Sequence, residues 1–127
     1  MNTINIPTSK DIYIEADGVR LGVVESYRVY ASRKSLSIEA FGESEPVGTV
    51  AGRIAYTIEL SRVDAAPAYD DGVDFYSLSD FNLVINKADR VIVYTGCQWS
   101  DIGEVGELGA PVLEKVRIIA AGRQVMR

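Results

Sequence analysis

The abundance of β-branched side chains is the feature that most restricts the fold of this chain. The sequence contains 15 valines, 12 isoleucines and 5 threonines, so 32 of its 127 residues are branched at Cβ. Branched and aromatic side chains lose χ1 freedom in helices and pack well on a pleated sheet. Sustained helical periodicity is absent from the sequence, which therefore predicts an all-β chain.

The spacing of apolar residues supports strands. Ile54, Tyr56, Ile58 and Leu60 alternate with smaller or more polar residues, and the same two-residue period runs through 35–40 and 112–120. Alternation of this kind predicts strands with one face on a core and the other in water. The segments 81–85 and 91–95 are apolar at even and at odd positions alike, which predicts strands covered on both faces.

Turn-forming residues separate these segments. Asp17-Gly18 predicts a two-residue turn between strands at 11–16 and 19–30, because both residues tolerate positive φ. Longer loops are expected at 42–52 and 65–72, a shorter turn at 86–89, and at most one short helical turn within 73–79. We therefore predict a single domain over residues 1–127 with six or seven strands. They form a mainly antiparallel β-sandwich or partly closed barrel.

Charge and composition exclude several functions. The 13 basic and 18 acidic residues leave a net charge of −5, which disfavours a nucleic-acid reader. Histidine is absent and Cys97 is the single cysteine, so a histidine base, an intrachain disulfide and a thiolate zinc cluster are excluded. The sequence contains no apolar run long enough for a membrane span. We expect a non-enzymatic chain without cofactor or metal.

Three groups could still carry chemistry. Asp70, Asp71 and Asp74 surround a glycine and could bind Ca²⁺, although a solvated acidic loop explains them as well. The glycines at 103, 106 and 109 resemble a phosphate loop, but the glutamates between them would repel an anion, and we expect a flexible loop instead. Glu39 and Glu59 could form a glycosidase pair if their strands were neighbours, although nothing nearby would raise a pKa.

Two single residues have simpler interpretations. Cys97 ends an apolar strand without a histidine or lysine nearby, and we expect a buried structural thiol. Trp99 is interpreted as a core or interface residue rather than a ligand platform.

Two segments carry short polar side chains at alternate positions. If they pair across the loop at 41–53, they form a smooth acidic surface, and an ordinary solvent face is the alternative. Their members are Ser35, Ser37, Glu39, Thr57, Glu59 and Ser61.

The middle of the chain resembles a known family. Residues 41–47 match the loop F-G-E-x-x-P-V, and Gly52 to Arg62 match the strand G-x-x-x-Y-x-[IL]-x-L-x-R. Further on, Tyr94 to Cys97 match a Y-x-G-C step at the end of a strand. These patterns resemble the tail-tube proteins of contractile-tailed phages and phage-derived bacteriocins, over roughly residues 10 to 123.

The resemblance implies a mechanical role. Subunits of that family form six-membered rings that stack into a hollow tube with a β-lined lumen, through which DNA or an effector passes without specific binding. It implies a tube subunit, or a tube-initiator or other baseplate component. The implied partners are further copies of the chain and sheath and baseplate proteins, in a virion tail that is assembled in the bacterial host cytoplasm.

The resemblance also suggests residue roles. The six polar residues would line an acidic lumen, and a loop would contact the next ring through Phe41, Gly42, Glu43, Glu45, Pro46, Val47 and Gly48. Two other functions remain open at this point. One is the tube of a type VI secretion system, and the other is a carbohydrate- or Ca²⁺-binding β-sandwich module.

Overall fold

The computed structural model describes residues 11–46, 48–64 and 71–127. Within them the chain forms eight strands and one short 3-10 helix, Phe75–Ser77. Every strand pair is antiparallel. The strands are β1 (Tyr13–Ala16), β2 (Val19–Arg20), β3 (Val24–Ile38), β4 (Gly48–Val63), β5 (Phe81–Asn86), β6 (Val91–Val105), β7 (Leu113–Ala120) and β8 (Gly122–Met126).

Strand β6 divides the sheet into two layers. The strand order is β2-β1-β5-β6-β7-β4-β3, and β8 also pairs with β6. Residues 91–95 of β6 pair with β8, whereas residues 98–105 pair with β7. Between these halves Gly96 adopts a φ of 60°, a left-handed conformation that glycine tolerates best. One layer is therefore β2-β1-β5-β6-β8 and the other is β6-β7-β4-β3.

The core lies between the two layers. A single cluster of buried residues includes Leu83 and Ile85 from the first layer and Ile58 and Ile118 from the second. Phe75 of the 3-10 helix is fully buried in the same cluster. The predicted antiparallel β-sandwich with at most one short helix is confirmed, and the sheet does not close into a barrel. In the described part of the chain, no helix has the length and apolarity needed to cross a membrane.

Several predicted boundaries are wrong. The segment 19–30 is not one strand, because β2 ends at Arg20 and β3 begins only at Val24. Between them the N–H of Leu21 donates to the carbonyl of Ile14 at 2.8 Å. The loop expected at 42–52 is shorter, since β4 already begins at Gly48. Gly103 lies within β6 rather than in a loop. Strand β8 was not predicted.

The prediction that 81–85 and 91–95 are covered on both faces is also wrong. In β5 the residues Phe81, Leu83 and Ile85 are buried, whereas Asn82 is exposed and Val84 is half-buried. Within the described residues the sandwich has two layers, so β5 and residues 91–95 of β6 each bury a single face. The apolar residues that point to the opposite face of these strands remain partly exposed to solvent.

Candidate functional site

A two-stranded ribbon extends beyond the rest of the sheet. Strand β4 pairs with β7 only from Tyr56 onward, whereas its pairing with β3 continues to Gly48. Residues 32–38 and 48–55 therefore pair only with each other among the described strands, and all but the half-buried Gly48 are exposed. We call this segment the ribbon. An isolated hairpin is marginally stable in water, so a ribbon of this length benefits from a partner surface.

The ribbon exposes apolar side chains. Leu36 is 59% exposed and Val50 is 51% exposed. Phe41, in the turn at its tip, is fully exposed. A cluster of exposed apolar groups on one protrusion indicates a surface for another protein.

The second layer also has two open edges. Among the described strands, β3 pairs only with β4, and residues 98–105 of β6 pair only with β7. Each edge presents unpaired backbone N–H and C=O groups, which are available to another chain. The layer can therefore continue on both sides into further copies.

One side of this four-stranded layer faces away from the core, and we call it the polar face. Strand register places Thr57 beside Tyr30, and Glu59 between Arg28 of β3 and Arg117 of β7. Asp101 of β6 lies on the far side of Arg117. Directly paired residues share a face of a sheet, so these side chains form one surface.

The six predicted polar residues do not share this surface. Ser35 pairs with Ala51 and Ser37 with Thr49, after a register shift between Arg33 and Ser35. Because side chains alternate along β3, Ser35 and Ser37 lie on the face opposite to Tyr30 and hence opposite to Thr57, Glu59 and Ser61. Glu39 follows the end of β3 in the exposed connection. The single surface expected from pairing these segments does not form within the chain.

The polar face carries charges of both signs rather than being acidic. Three basic residues, Arg28, Lys115 and Arg117, line the groove over it together with the acidic residues Glu59 and Asp101. Arg117 donates from Nη2 to Glu59 Oε1 at 2.9 Å and has Nη1 3.7 Å from Asp101 Oδ2. Its hydrogen bond to Glu59 raises the pKa of Arg117. The prediction of an acidic surface considered only the short side chains, and it overlooked the longer basic residues on adjacent strands.

The short residues of the polar face are more buried than a solvent face predicts. Thr57 is 9% and Ser61 is 6% exposed, although their strand position is the outward one. Strand β4 lies between β3 and β7, so longer side chains such as Lys115 and Tyr30 flank the short ones on both sides. Whether Ser35, Ser37, Glu39, Thr57, Glu59 and Ser61 line a lumen stays a prediction.

The expected inter-ring loop forms the ribbon tip. Phe41 and Gly42 form a turn in which Gly42 has a φ of 82°, and Glu43, Glu45 and Pro46 are exposed. Gly48 belongs to β4, where it pairs with Ile38. Val47 lies outside the described residues. The contact of this tip with another ring stays a prediction.

An ion-pair cluster fixes the end of the second layer that lies opposite the ribbon. Arg62 donates to Asp71 and to Glu114, and its guanidinium carbon lies 4.9 Å from the Phe75 ring centroid. Asp71 also accepts from the backbone N–H groups of Gly22 and Val73 at 2.7 and 2.8 Å. Burial alone would raise the pKa of Asp71. The two N–H donors and Arg62 outweigh burial and lower it.

This cluster explains the acidic group around Gly72. Asp70 lies outside the described residues, Asp71 is engaged by Arg62, and Asp74 accepts from the N–H of Tyr76 at the start of the 3-10 helix. No group of His, Cys, Asp or Glu side chains within the described ranges is placed to hold a metal. The sequence pointed to Arg62 only as the last position of the strand motif.

The fold explains the positions of the remaining candidate residues. Glu59 is held by Arg117, and Glu39 lies near the opposite end of the hairpin, so the two carboxylates are not neighbours. Cys97 is fully buried, as predicted, and burial raises the pKa of its thiol to about 11. Trp99 is half-buried and stacks edge-on against Tyr76, with ring centroids 6.0 Å apart.

The sequence interpretation missed a cleft lined by tyrosines at the base of the ribbon, which we call the tyrosine cleft. It has a volume of about 540 Å³ and lies between β3, β4 and the first layer. Tyr56 and Tyr94 meet edge-on there, with ring centroids 5.9 Å apart. Burial raises the pKa of Tyr27, with a further contribution from Tyr94, while Arg90 lowers it. The tyrosines of different strands meet only through the strand order, which the sequence does not reveal.

Comparison with solved structures identifies this arrangement. A chain from the sheath/tube terminator of an extracellular contractile injection system, PVC, in its extended state matches with a TM-score of 0.71 and 7% identity, covering 98% of this chain and 99% of that one. The chain has a tail-tube fold. Neither a protein-family model nor a curated protein matches its sequence.

Two further tail-tube-fold structures support this assignment. A chain of the PVC sheath–tube complex in the extended state matches with a TM-score of 0.67 and 6% identity, covering 95% of this chain and 91% of that one. A chain from the tail of an empty gene transfer agent particle, refined with C6 symmetry, matches with a TM-score of 0.66 and 12% identity, covering 94% and 97% of the two chains.

Proposed function

We propose that the chain is a structural subunit of a phage or phage-like tail tube, and that its copies join into rings of six that stack into a hollow tube. The observation that carries this proposal is the four-stranded layer with two open edges and a protruding ribbon, within a tail-tube fold. The C6 symmetry of one matching tail supports the ring size. The role is mechanical, and the chain makes or breaks no bond.

The two open edges support ring closure. Strand β3 of one copy lies beside residues 98–105 of β6 of the next, so each contact joins two different surfaces. Contacts of this head-to-tail type close into a ring or continue as a filament. A closed ring also covers both edges of the four-stranded layer, which otherwise favour aggregation.

The dimensions suit a channel. Six copies of a four-stranded layer place 24 strands around the hole, and at about 4.8 Å between strands the backbone wall has a diameter of roughly 37 Å before tilt widens it. Side chains on both sides narrow this opening, which still admits a nucleic-acid duplex or a slender protein.

The polar face forms the wall of this channel. The other side of the layer is buried against the core through Ile58, Leu60 and Ile118, so it cannot face the hole. Thr57, Glu59 and Ser61 then face the lumen, whereas Ser35 and Ser37 do not share that side of the hairpin. The pairing of Arg117 with Glu59 and Asp101 removes one of the three cations of the polar face from contact with phosphates, which reduces the hold of the wall on DNA.

Axial and outer contacts complete the tail. The ribbon tip contacts the next ring, and sheath and baseplate proteins surround the tube in a virion tail assembled in the host cytoplasm. A matching chain from a tube terminator has the same fold. The chain therefore fits a terminating or initiating ring as well as the repeating tube, and the length of the assemblies distinguishes these positions.

Sedimentation velocity and negative-stain microscopy of the purified chain test the proposal. We expect annular particles whose mass is six times that of the 13.9 kDa chain, and long tubes if the chain is the repeating subunit. The matched control replaces residues 35–51 by an Asn-Gly turn, which removes the distal ribbon without touching the core. This variant should fold and lose the tubes. A wild-type chain that stays monomeric at every concentration would refute the proposal.

A further inference from the structure

The ribbon tip and the tyrosine cleft are complementary surfaces at different places on one molecule. The tip presents the fully exposed Phe41 with Glu39, Glu43 and Glu45 around it. No lysine or arginine occurs between residues 35 and 52. The tip is therefore an aromatic side chain within a local group of negative charge.

The tyrosine cleft has the opposite character. Its walls include the rings of Tyr27, Tyr56 and Tyr94, and its basic side chains are those of Lys87 and Arg123. Arg28 also borders the cleft, but its side chain lies on the polar face beside Glu59. Among the described residues, none that lines the cleft is acidic. Arg123 is exposed and Lys87 is half-buried. An aromatic side chain with acidic neighbours matches both the apolar walls and the positive rim.

The tip of the same chain cannot fill this cleft while the ribbon stays paired. The cleft is lined by Tyr30 and Ala31, at the base of the ribbon, and Phe41 lies beyond the end of β3. The eight residues 31–38 span roughly 25 Å in extended conformation. The strand pairing continues from Ala31 to Ile38, so the ribbon does not fold back on its own base.

We propose that Phe41 of one copy inserts into the tyrosine cleft of another copy, with Glu43 and Glu45 facing the basic rim. This inference rests on the proposed self-assembly and identifies the surface that receives the ribbon tip. A phenylalanine ring buries about 150–250 Å² on complete insertion, and buried aromatic anchors are the usual hot spots of interfaces.

A photo-crosslinker tests the contact directly. We place p-benzoylphenylalanine at position 41, which keeps an aromatic ring there, illuminate the assembled protein and sequence the crosslinked peptides. The proposal expects crosslinks between copies to peptides that contain Tyr27–Tyr30 or Lys87. Crosslinks only to other segments, or none in an assembled sample, overturn it.

Charge reversal provides a second, independent test. Glu43→Lys with Glu45→Lys, and separately Lys87→Glu with Arg123→Glu, should each weaken association by about ten-fold or more. A chain that carries all four changes should regain much of that loss, because the charges are complementary again. Glu107→Lys, in the loop after β6, is the matched control and should have little effect.

The outcomes separate this inference from the proposed function. Suppose that the wild-type chain forms rings and each double variant weakens association, but the chain with all four changes regains none of the loss. The tip and the cleft then do not meet, and only this inference fails. If the wild-type chain forms no ring at all, the proposed function fails first. Phe41→Ala should weaken assembly about ten-fold or more, whereas Leu108→Ala, at an equally exposed apolar residue, should not.

Discussion

Arg62 donates from Nη1 to both carboxylate oxygens of Asp71, each at 3.1 Å, and the two side chains are 12% and 7% exposed. The pair joins β4 to the segment before the 3-10 helix. Because Asp71 also accepts from the N–H of Gly22, it fixes the connection between β2 and β3 as well.

Replacing Asp71 should destabilise the fold strongly. Asp71→Ala leaves the largely buried Arg62 side chain with Glu114 as its remaining acidic partner among the described residues and removes the acceptor of two backbone N–H groups. We therefore expect a loss of about 3 kcal/mol in the free energy of unfolding. Urea denaturation at one fixed protein concentration measures it. Asp89→Ala, at an exposed pair with Arg90, is the control and should change stability by less than about 1 kcal/mol. Equal losses in the two variants would contradict the assigned role.

The same carboxylate predicts a pH dependence. The pKa of Asp71 is lower in the folded chain than the ordinary value of 3.8, so the unfolded chain binds its proton more readily. Its contribution to stability is complete above pH 4 and is lost as the pH falls through the lowered pKa. The difference in unfolding free energy between wild type and Asp71→Asn should therefore shrink on acidification below pH 4. A difference that stays constant would show that the charge of Asp71 is not the stabilising feature.

Cys97 should be unreactive in the folded chain. Its side chain is fully buried, its Sγ donates to the carbonyl of Tyr94 at 3.4 Å, and its pKa is raised to about 11. At pH 8 the thiol is protonated and shielded from reagents. We expect no labelling by iodoacetamide over an hour in buffer and complete labelling in urea. Rapid labelling of the native protein would contradict the position of Cys97 in the core.

Gly52 should be required for the shape of the ribbon. A Cβ added there would overlap the carbonyl of Lys34, whereas one added at Gly48 would meet only Ile38 Cδ1 at 3.9 Å. Gly52→Ala should therefore distort the ribbon and weaken assembly, with little change in thermal unfolding because the ribbon does not contact the core. Gly48→Ala should assemble normally. Normal assembly of Gly52→Ala would indicate that ribbon geometry does not determine association.

Local patterns in the sequence predict much of the fold. The Asp17-Gly18 turn forms with φ values of 47° and 81°, as the positive-φ requirement implies. The alternation in β7 also holds, with Val116, Ile118 and Ala120 buried and Lys115 and Arg117 exposed. These features depend on residues that are adjacent in the sequence, so a single sequence is enough to predict them.

The proposed assembly surface could be predicted only in part, because it depends on which strands pair. Strand positions alone cannot place Arg28 and Arg117 on either side of Glu59, and the register shift that separates Ser35 from Thr57 has no sequence signature beyond Gly52. The tyrosine cleft likewise combines β3, β4, β5, β6 and β8. Contacts between distant segments follow from register and strand order rather than from composition.

A cryo-electron microscopy reconstruction of the purified assembly tests the central claim most directly. We expect a closed ring around an open channel, with β3 of each copy beside β6 of the next and Glu59 and Arg117 facing the channel. Particles without a hole, or a ring in which these two residues lie on the outer surface, would contradict it.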